Sequence, residues 1–215
     1  MVQPKKDESK KITVWNFKGG EGKTTIACAI ALEGDWAIIT NDLHSDLTSA
    51  LDESRYLVLD PGQPLPTKED LEGANIIFDP GGFLDTRMID AIKMSDYVII
   101  PISEPGRKLN SERFMASILE IEQYNKNIII VLNKISAEEA DKAKVGLREV
   151  MSKQCKKVYP IFFIKKNEAF EIMLNTGAPV SEIAKRGRLF SRWYKPLEGQ
   201  LKELINYING GKYNG

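Results

Sequence analysis

Cysteine and histidine are almost missing from this sequence of 215 residues. Cys28 and Cys155 stand far apart in no Cys-x-x-Cys pair, and His44 is the lone histidine. That excludes a disulfide framework, a zinc cluster and an all-cysteine cluster built by one chain. No apolar run approaches the ~18 residues of a membrane span. The opening Met1-Val2-Gln3-Pro4-Lys5-Lys6-Asp7 does not read as a signal peptide, so a cytoplasmic protein is expected. Net charge is also lacking, because 30 basic residues balance 30 acidic ones. That argues against a uniformly basic nucleic-acid binder, but not against charge gathered on one face. What is present, 42% apolar and 28% charged residues, suffices for a real core. One domain over residues 1–215 is expected, with 1–10 a flexible lead and 210–215 a flexible tail.

Apolar, β-branched runs alternate with helical patterns. Residues 12–17 read as a buried strand entering a glycine-rich turn, 23–33 as a helix and 36–40 as a strand. Residues 76–78 form a short apolar run ending at Asp79, and 97–102, 127–132 and 158–164 are three more strand candidates. Helical patterns lie between them at about 84–94, 109–124, 137–152 and 167–175. This alternation predicts an α/β fold, a doubly wound, mostly parallel sheet with helices on both faces. A last helix is expected with Pro196 in its first turn and Leu197, Leu201, Leu204, Ile205 and Ile208 on one stripe. Glu198 and Glu203 on its polar face favour packing against the sheet over lying on a membrane.

The strongest chemical signal is Lys18-Gly19-Gly20-Glu21-Gly22-Lys23-Thr24-Thr25, between a strand and a helix. A triphosphate needs inward-pointing backbone N–H groups, and glycines let the chain curl closely around it. The Thr24 and Thr25 amides would open a helix whose positive end faces the phosphates. Lys23 would give a point charge to the β- and γ-phosphates, and Thr24 Oγ one coordination position on Mg2+. The pattern G-x-x-x-x-G-K-[ST] is not met, since its first glycine would fall on Phe17. The string instead fits K-G-G-x-G-K-T-[ST], which adds Lys18 at the start of the loop.

Residues 16–25 resemble the deviant Walker A loop of the ParA/MinD family of ATPases, within the SIMIBI class of P-loop proteins. Residues 36–42 with Leu47-Thr48-Ser49-Ala50-Leu51 resemble the family's switch I. Ile76-Ile77-Phe78-Asp79-Pro80-Gly81-Gly82 is similar to its Walker B strand with a D-x-x-G switch II. Residues 96–101, the strand ending in Asn133-Lys134, and the segment from Glu168 to Val180 resemble later family elements. The match spans about residues 11–204.

The resemblance implies a P-loop domain that binds ATP and Mg2+ and forms a homodimer on ATP binding. It implies backbone contacts to nucleotide from Lys18 through Thr25, with Lys18 reaching the partner's nucleotide. Asp42 would help hold Mg2+ or position the attacking water, beside Lys18 and Lys23 in catalysis. Asp79 would bind Mg2+ through water, the Gly82 amide would sense the γ-phosphate, and Asn133 would contact adenine. Each has a plainer reading: Asp42 and Asp79 as solvated strand ends, Asn133 as a helix cap or turn. Two departures bear on switch I and the hydrolysis rate. Thr40 replaces its first aspartate, and Leu43-His44-Ser45 replaces Pro-Gln-Gly.

Charge is segregated along the chain. Residues 42–79 hold nine acids against Arg55 and Lys68, while residues 153–195 hold ten bases against three acids. The tightest basic cluster is Lys185, Arg186, Arg188, Arg192 and Lys195, interleaved with Phe190, Trp193 and Tyr194. It would suit DNA-backbone contacts, a solvated surface, or contacts to nucleotide or dimer partner. ParA resemblance implies a slow ATP hydrolase that segregates DNA by ATP-gated nonspecific binding, with a centromere-binding or adaptor protein and nucleoid association. The alternatives are an ATPase switch for a conjugation, division or secretion cargo, or a metabolic enzyme activating a small carboxylate.

Overall fold

The computed structural model describes residues 9–42, 47–81, 86–105 and 108–213. Among these residues seven strands form one parallel sheet in the order β3-β2-β4-β1-β5-β6-β7. They are β1 (Lys11–Val14), β2 (Ala37–Thr40), β3 (Tyr56–Val58), β4 (Ile76–Asp79), β5 (Tyr97–Ile102), β6 (Ile128–Ile135) and β7 (Ile161–Lys165). The helices are α1 (Lys23–Glu33), α2 (Leu47–Ala50), α3 (Thr86–Met94), α4 (Lys108–Ile121), α5 (Ala137–Gln154), α6 (Ala169–Thr176), α7 (Val180–Ile183) and α8 (Arg188–Ile208).

The central strands are apolar on both sides because both sides are covered. Ile129 and Val131 of β6 pack into the core beneath α1, α6 and α8, with Ile26, Phe170 and Leu201. Ile128, Ile130 and Leu132 of the same strand face the opposite core, with Ile118 of α4 and Leu147 of α5. The expected doubly wound class is thus met, with all strands parallel. β3 escaped the sequence reading, since Tyr56, Leu57 and Val58 form a half-exposed edge strand too short to show alternation.

Local signals explain several helix ends. Ser136 and Glu139 form a reciprocal capping box at the start of α5. Gly177 stops α6 in the left-handed conformation, φ 67°. The Arg55 guanidinium donates to the carbonyls of Ala31, Gly34 and Trp36, closing the C-terminal end of α1.

The last helix differs from expectation. Pro196 lies inside α8, which starts at Arg188 rather than at the proline. Tyr194 is buried in the core beneath α1, α6 and α8, so tertiary packing holds the turns ahead of the proline in the helix. Pro196 itself sits on the exposed side, away from the core. Of the expected stripe, Leu197, Leu201, Leu204 and Ile208 are fully enclosed and Ile205 is partly buried.

Candidate functional site

The C-terminal ends of β1, β2, β4 and β6 meet around the glycine-rich loop, at the edge where open parallel sheets bind ligands. The loop is pinned at its start. Trp15 N–H donates to the Ile99 carbonyl at 2.9 Å, and Asn16 Nδ2 to that of Pro101 at 2.5 Å. Asn16 Oδ1 accepts from Lys18 N–H at 3.0 Å. Gly20 and Gly22 are left-handed, φ 79° and 87°, as the curl into α1 requires. Gly22 offers α1 no side-chain cap, and the first turn has no acidic residue, so its amides are left for an outside acceptor.

From β6 the loop is held at two points. Asn133 is buried, and its Nδ2 donates to the Glu21 carbonyl at 2.7 Å. Lys134 Nζ donates to the Gly20 carbonyl at 3.2 Å. Lys134 stands at a bulge in the β6–β7 register with φ 59°, which turns it out of the ladder. A Cβ on Gly22 would lie 2.3 Å from Asn133 Nδ2, so only glycine allows this approach. Glu21 is also buried. Its carboxylate pairs with Lys18 Nζ at 2.6 Å and accepts from Ser103 N–H.

On the other side, β4 delivers Asp79. This residue is 2% exposed, and its Oδ1 has no hydrogen-bond partner among the described residues. Burial pushes its carboxyl up to about 6, against the lowering effects of the Thr24 hydroxyl and Lys23 charge, with Asp42 adding to the rise. Thr40 ties the two aspartate-bearing segments together. Its Oγ1 donates to the Asp79 carbonyl at 2.7 Å and accepts from Asp42 N–H at 3.1 Å. Asn41 Oδ1 accepts from Gly81 N–H at 2.7 Å, stitching the same strand ends once more.

Loop and strand ends enclose a cleft of about 360 Å³ that includes Lys23, Thr24, Asp42, Asp79 and Lys134. A second pocket of about 510 Å³ shares Thr25 and Lys134 with it or its wall, and adds Asn133, Asn167 and Phe170. A larger apolar groove of about 670 Å³ runs along α5 and shares only Lys134 with the cleft.

The fold therefore brings Gly19, Gly20, Gly22, Lys23, Thr24, Thr25, Asp42 and Asp79 to one cleft, with Lys18, Glu21 and Asn133 at its margins. Gly82 and His44 lie outside the described residues. Lys185, Arg186, Arg188, Arg192 and Lys195 do not join the cleft; all five are exposed around the start of α8. Sequence reasoning missed the anchoring by Lys134, the Thr40 bridge and the Glu21 carboxylate. Asn133-Lys134 after a strand was the available signal for the first, whereas the other two depend on contacts across the sheet.

No protein-family model matches the chain, and no curated protein is similar to it at a significant level. Solved structures are similar. An ATP complex of Cyanothece McdA is 15% identical, covers 96% of this chain and 98% of its own, and has a TM-score of 0.60. MinD, a cell division protein of Aquifex aeolicus, is 17% identical over 95% and 98%, with a TM-score of 0.61. pNOB8 ParA is 15% identical over 93% and 99%, also at 0.61. At such identities the likeness is one of fold, and it covers nearly the whole chain. The seven-stranded parallel sheet with its glycine-rich loop after β1 is thus the ParA/MinD-type P-loop NTPase fold.

Proposed function

We propose that this chain is a Mg2+-dependent ATPase that dimerises around ATP and uses the dimer to segregate DNA. The observation that carries the reading is the buried, partnerless Oδ1 of Asp79 beside the uncapped first turn of α1. Neither feature serves the fold. A buried carboxylate oxygen without a partner costs stability, and free amides at a helix start favour an anion.

The donors suit Mg2+. Thr24, Asp42 and Asp79 offer hard oxygens. Among the described residues no group of three or more His, Cys, Asp or Glu could hold a metal. Mg2+ takes one or two carboxylates and completes its shell with phosphate and water. When bound, the ion would neutralise charge on the β- and γ-phosphates.

In this reading the amides of residues 18–25 cradle the phosphates and Lys23 offsets their charge. Thr24, Asp42 and Asp79 hold the cation, and Lys18 reaches the nucleotide of the second copy. The pocket bearing Asn133, Asn167 and Phe170 takes the base, and the Gly82 amide senses the γ-phosphate. Hydrolysis is slow and resets the dimer.

The exposed Lys185, Arg186, Arg188, Arg192 and Lys195 would bind the DNA backbone without reading bases. A centromere-binding or adaptor protein would supply the address, and the protein would work in the cytoplasm on the nucleoid. A second reading, an ATPase switch for another cargo, is favoured by the equal likeness to a cell division protein.

The test measures fluorescent ATP-analogue binding with and without Mg2+, mass by light scattering, and binding to nonspecific duplex DNA across salt. Mg2+-enhanced ATP binding, ATP-dependent dimers and DNA binding with ATP but not ADP are expected. Joint Arg186→Ala, Arg188→Ala and Arg192→Ala substitution should abolish the DNA step alone. No nucleotide binding would overturn the reading. ATP-dependent dimers that ignore DNA at every salt concentration would establish the cargo switch in its place.

A further inference from the structure

We propose that Glu21 is a positioning residue that restrains Lys18. Its carboxylate latches the Lys18 ammonium onto its own loop, and this latch sets the ATP-loaded concentration at which a second copy is engaged. The inference rests on the sandwich-dimer reading above and deepens it.

Glu21 occupies the variable position of K-G-G-x-G-K-T-T, where the motif demands no charge. The fold nevertheless buries it, at 1% exposure, between the ends of β5 and β6. Three contacts converge on this one residue. Its backbone carbonyl takes the Asn133 amide, its carboxylate takes the Ser103 N–H, and Lys18 Nζ closes on the carboxylate at 2.6 Å. The Lys18 side chain is 35% exposed and that of Glu21 only 2%, so the lysine bridges solvent and a buried charge.

The geometry makes the latch costly to open. A carboxylate deprived of its cation in a dry setting keeps its desolvation penalty and loses the offsetting attraction. Among the described residues only the Ser103 N–H would remain to it, a neutral donor facing a full charge. An ammonium drawn towards a second copy must therefore be offered more negative charge than Glu21 provides. A triphosphate offers that. The latch thus raises the threshold for dimerisation through two side chains, while the backbone amides of the same loop face the nucleotide of their own copy.

The prediction separates a latch from a mere support of the loop. Glu21→Gln keeps an acceptor for Ser103 and removes the charge, while Glu21→Val removes charge and polarity together. Dimerisation with a non-hydrolysable ATP analogue is followed by sedimentation, and one-copy affinity by a fluorescent ATP analogue. Each folded variant is compared at a nucleotide concentration that saturates its own one-copy site, and there it should dimerise at about tenfold lower protein concentration than the parent. Lys18→Ala should weaken dimerisation, and adding Glu21→Gln to it should change nothing further.

An unchanged or weaker dimer in the Glu21 variants would overturn the proposal. So would an equal gain on the Lys18→Ala background, because Glu21 would then act through loop shape. A parent that binds no nucleotide would defeat the ATPase reading itself. A parent that binds and dimerises while Glu21 variants show no gain would defeat only the latch.

Discussion

Asn133 of β6 donates its side-chain amide to the Glu21 carbonyl at 2.7 Å, across 112 residues of sequence. That bond makes the strand end and the phosphate loop one mechanical unit. Asn133→Ala removes the donor and leaves a buried carbonyl unpaired, at a cost of about 1–3 kcal/mol. Asn133→Asp is expected to be worse, since a carboxylate would face that carbonyl in a buried site. Urea unfolding measures the loss, and nucleotide titration should show weakened binding in both variants. An Asn133→Ala protein as stable as the parent would show that the bond carries no load.

The loop glycines should respond unequally to a methyl group. Gly20 and Gly22 share the left-handed conformation, but a Cβ on Gly20 meets nothing within 4 Å while one on Gly22 meets Asn133 Nδ2 at 2.3 Å. Gly20→Ala should therefore cost only the conformational penalty, about 1 kcal/mol. Gly22→Ala adds displacement of the buried amide, for about 2–4 kcal/mol in total. Equal melting temperatures for the two variants would contradict this.

Asp79 should trade stability for function. Its carboxyl rises from an ordinary 3.8 to about 6 in the folded protein, chiefly through burial. The folded state thus holds its proton where the unfolded state has lost it. Stability attributable to this group should fall as pH rises from about 4 to about 6, with the full cost present above 6. Asp79→Asn should stabilise the metal-free protein at pH 7 by on the order of 1–3 kcal/mol, with little difference at pH 4. The same variant should lose the Mg2+ enhancement of nucleotide binding. Denaturant curves across pH check the sign.

Thr40 stands where the resembled switch I has an aspartate, and its hydroxyl serves both Asp79 and Asp42. Thr40→Val keeps the shape and strips both bonds, so about 1–3 kcal/mol should be lost. Thr40→Ser should retain most of the parent's stability. If Thr40→Val matches Thr40→Ser in both unfolding and nucleotide affinity, the hydroxyl is not what joins the two segments.

Features that depend on neighbours along the chain could be read from residue order. Buried β-branched runs of residues 97–102 could only be strands covered on both faces, and β5 occupies just those positions. The loop between a strand and a helix was legible because glycine placement and the Lys23-Thr24 pair are local properties. The apolar stripe of α8 was equally local.

Features that depend on residues meeting across the sheet emerged only on folding. Pro196 announced a helix start, yet burial of Tyr194 carries α8 back to Arg188. β3 forms because Ile38, Ile39 and Thr40 offer an open ladder to Tyr56, Leu57 and Val58, which its own pattern could not announce. Glu21 read as one backbone amide among several until β5 brought Ser103 against it and the loop folded Lys18 onto its carboxylate. Spacing along the chain sets which way a residue can face, but which charge a buried carboxylate finds is set by the elements that close over it.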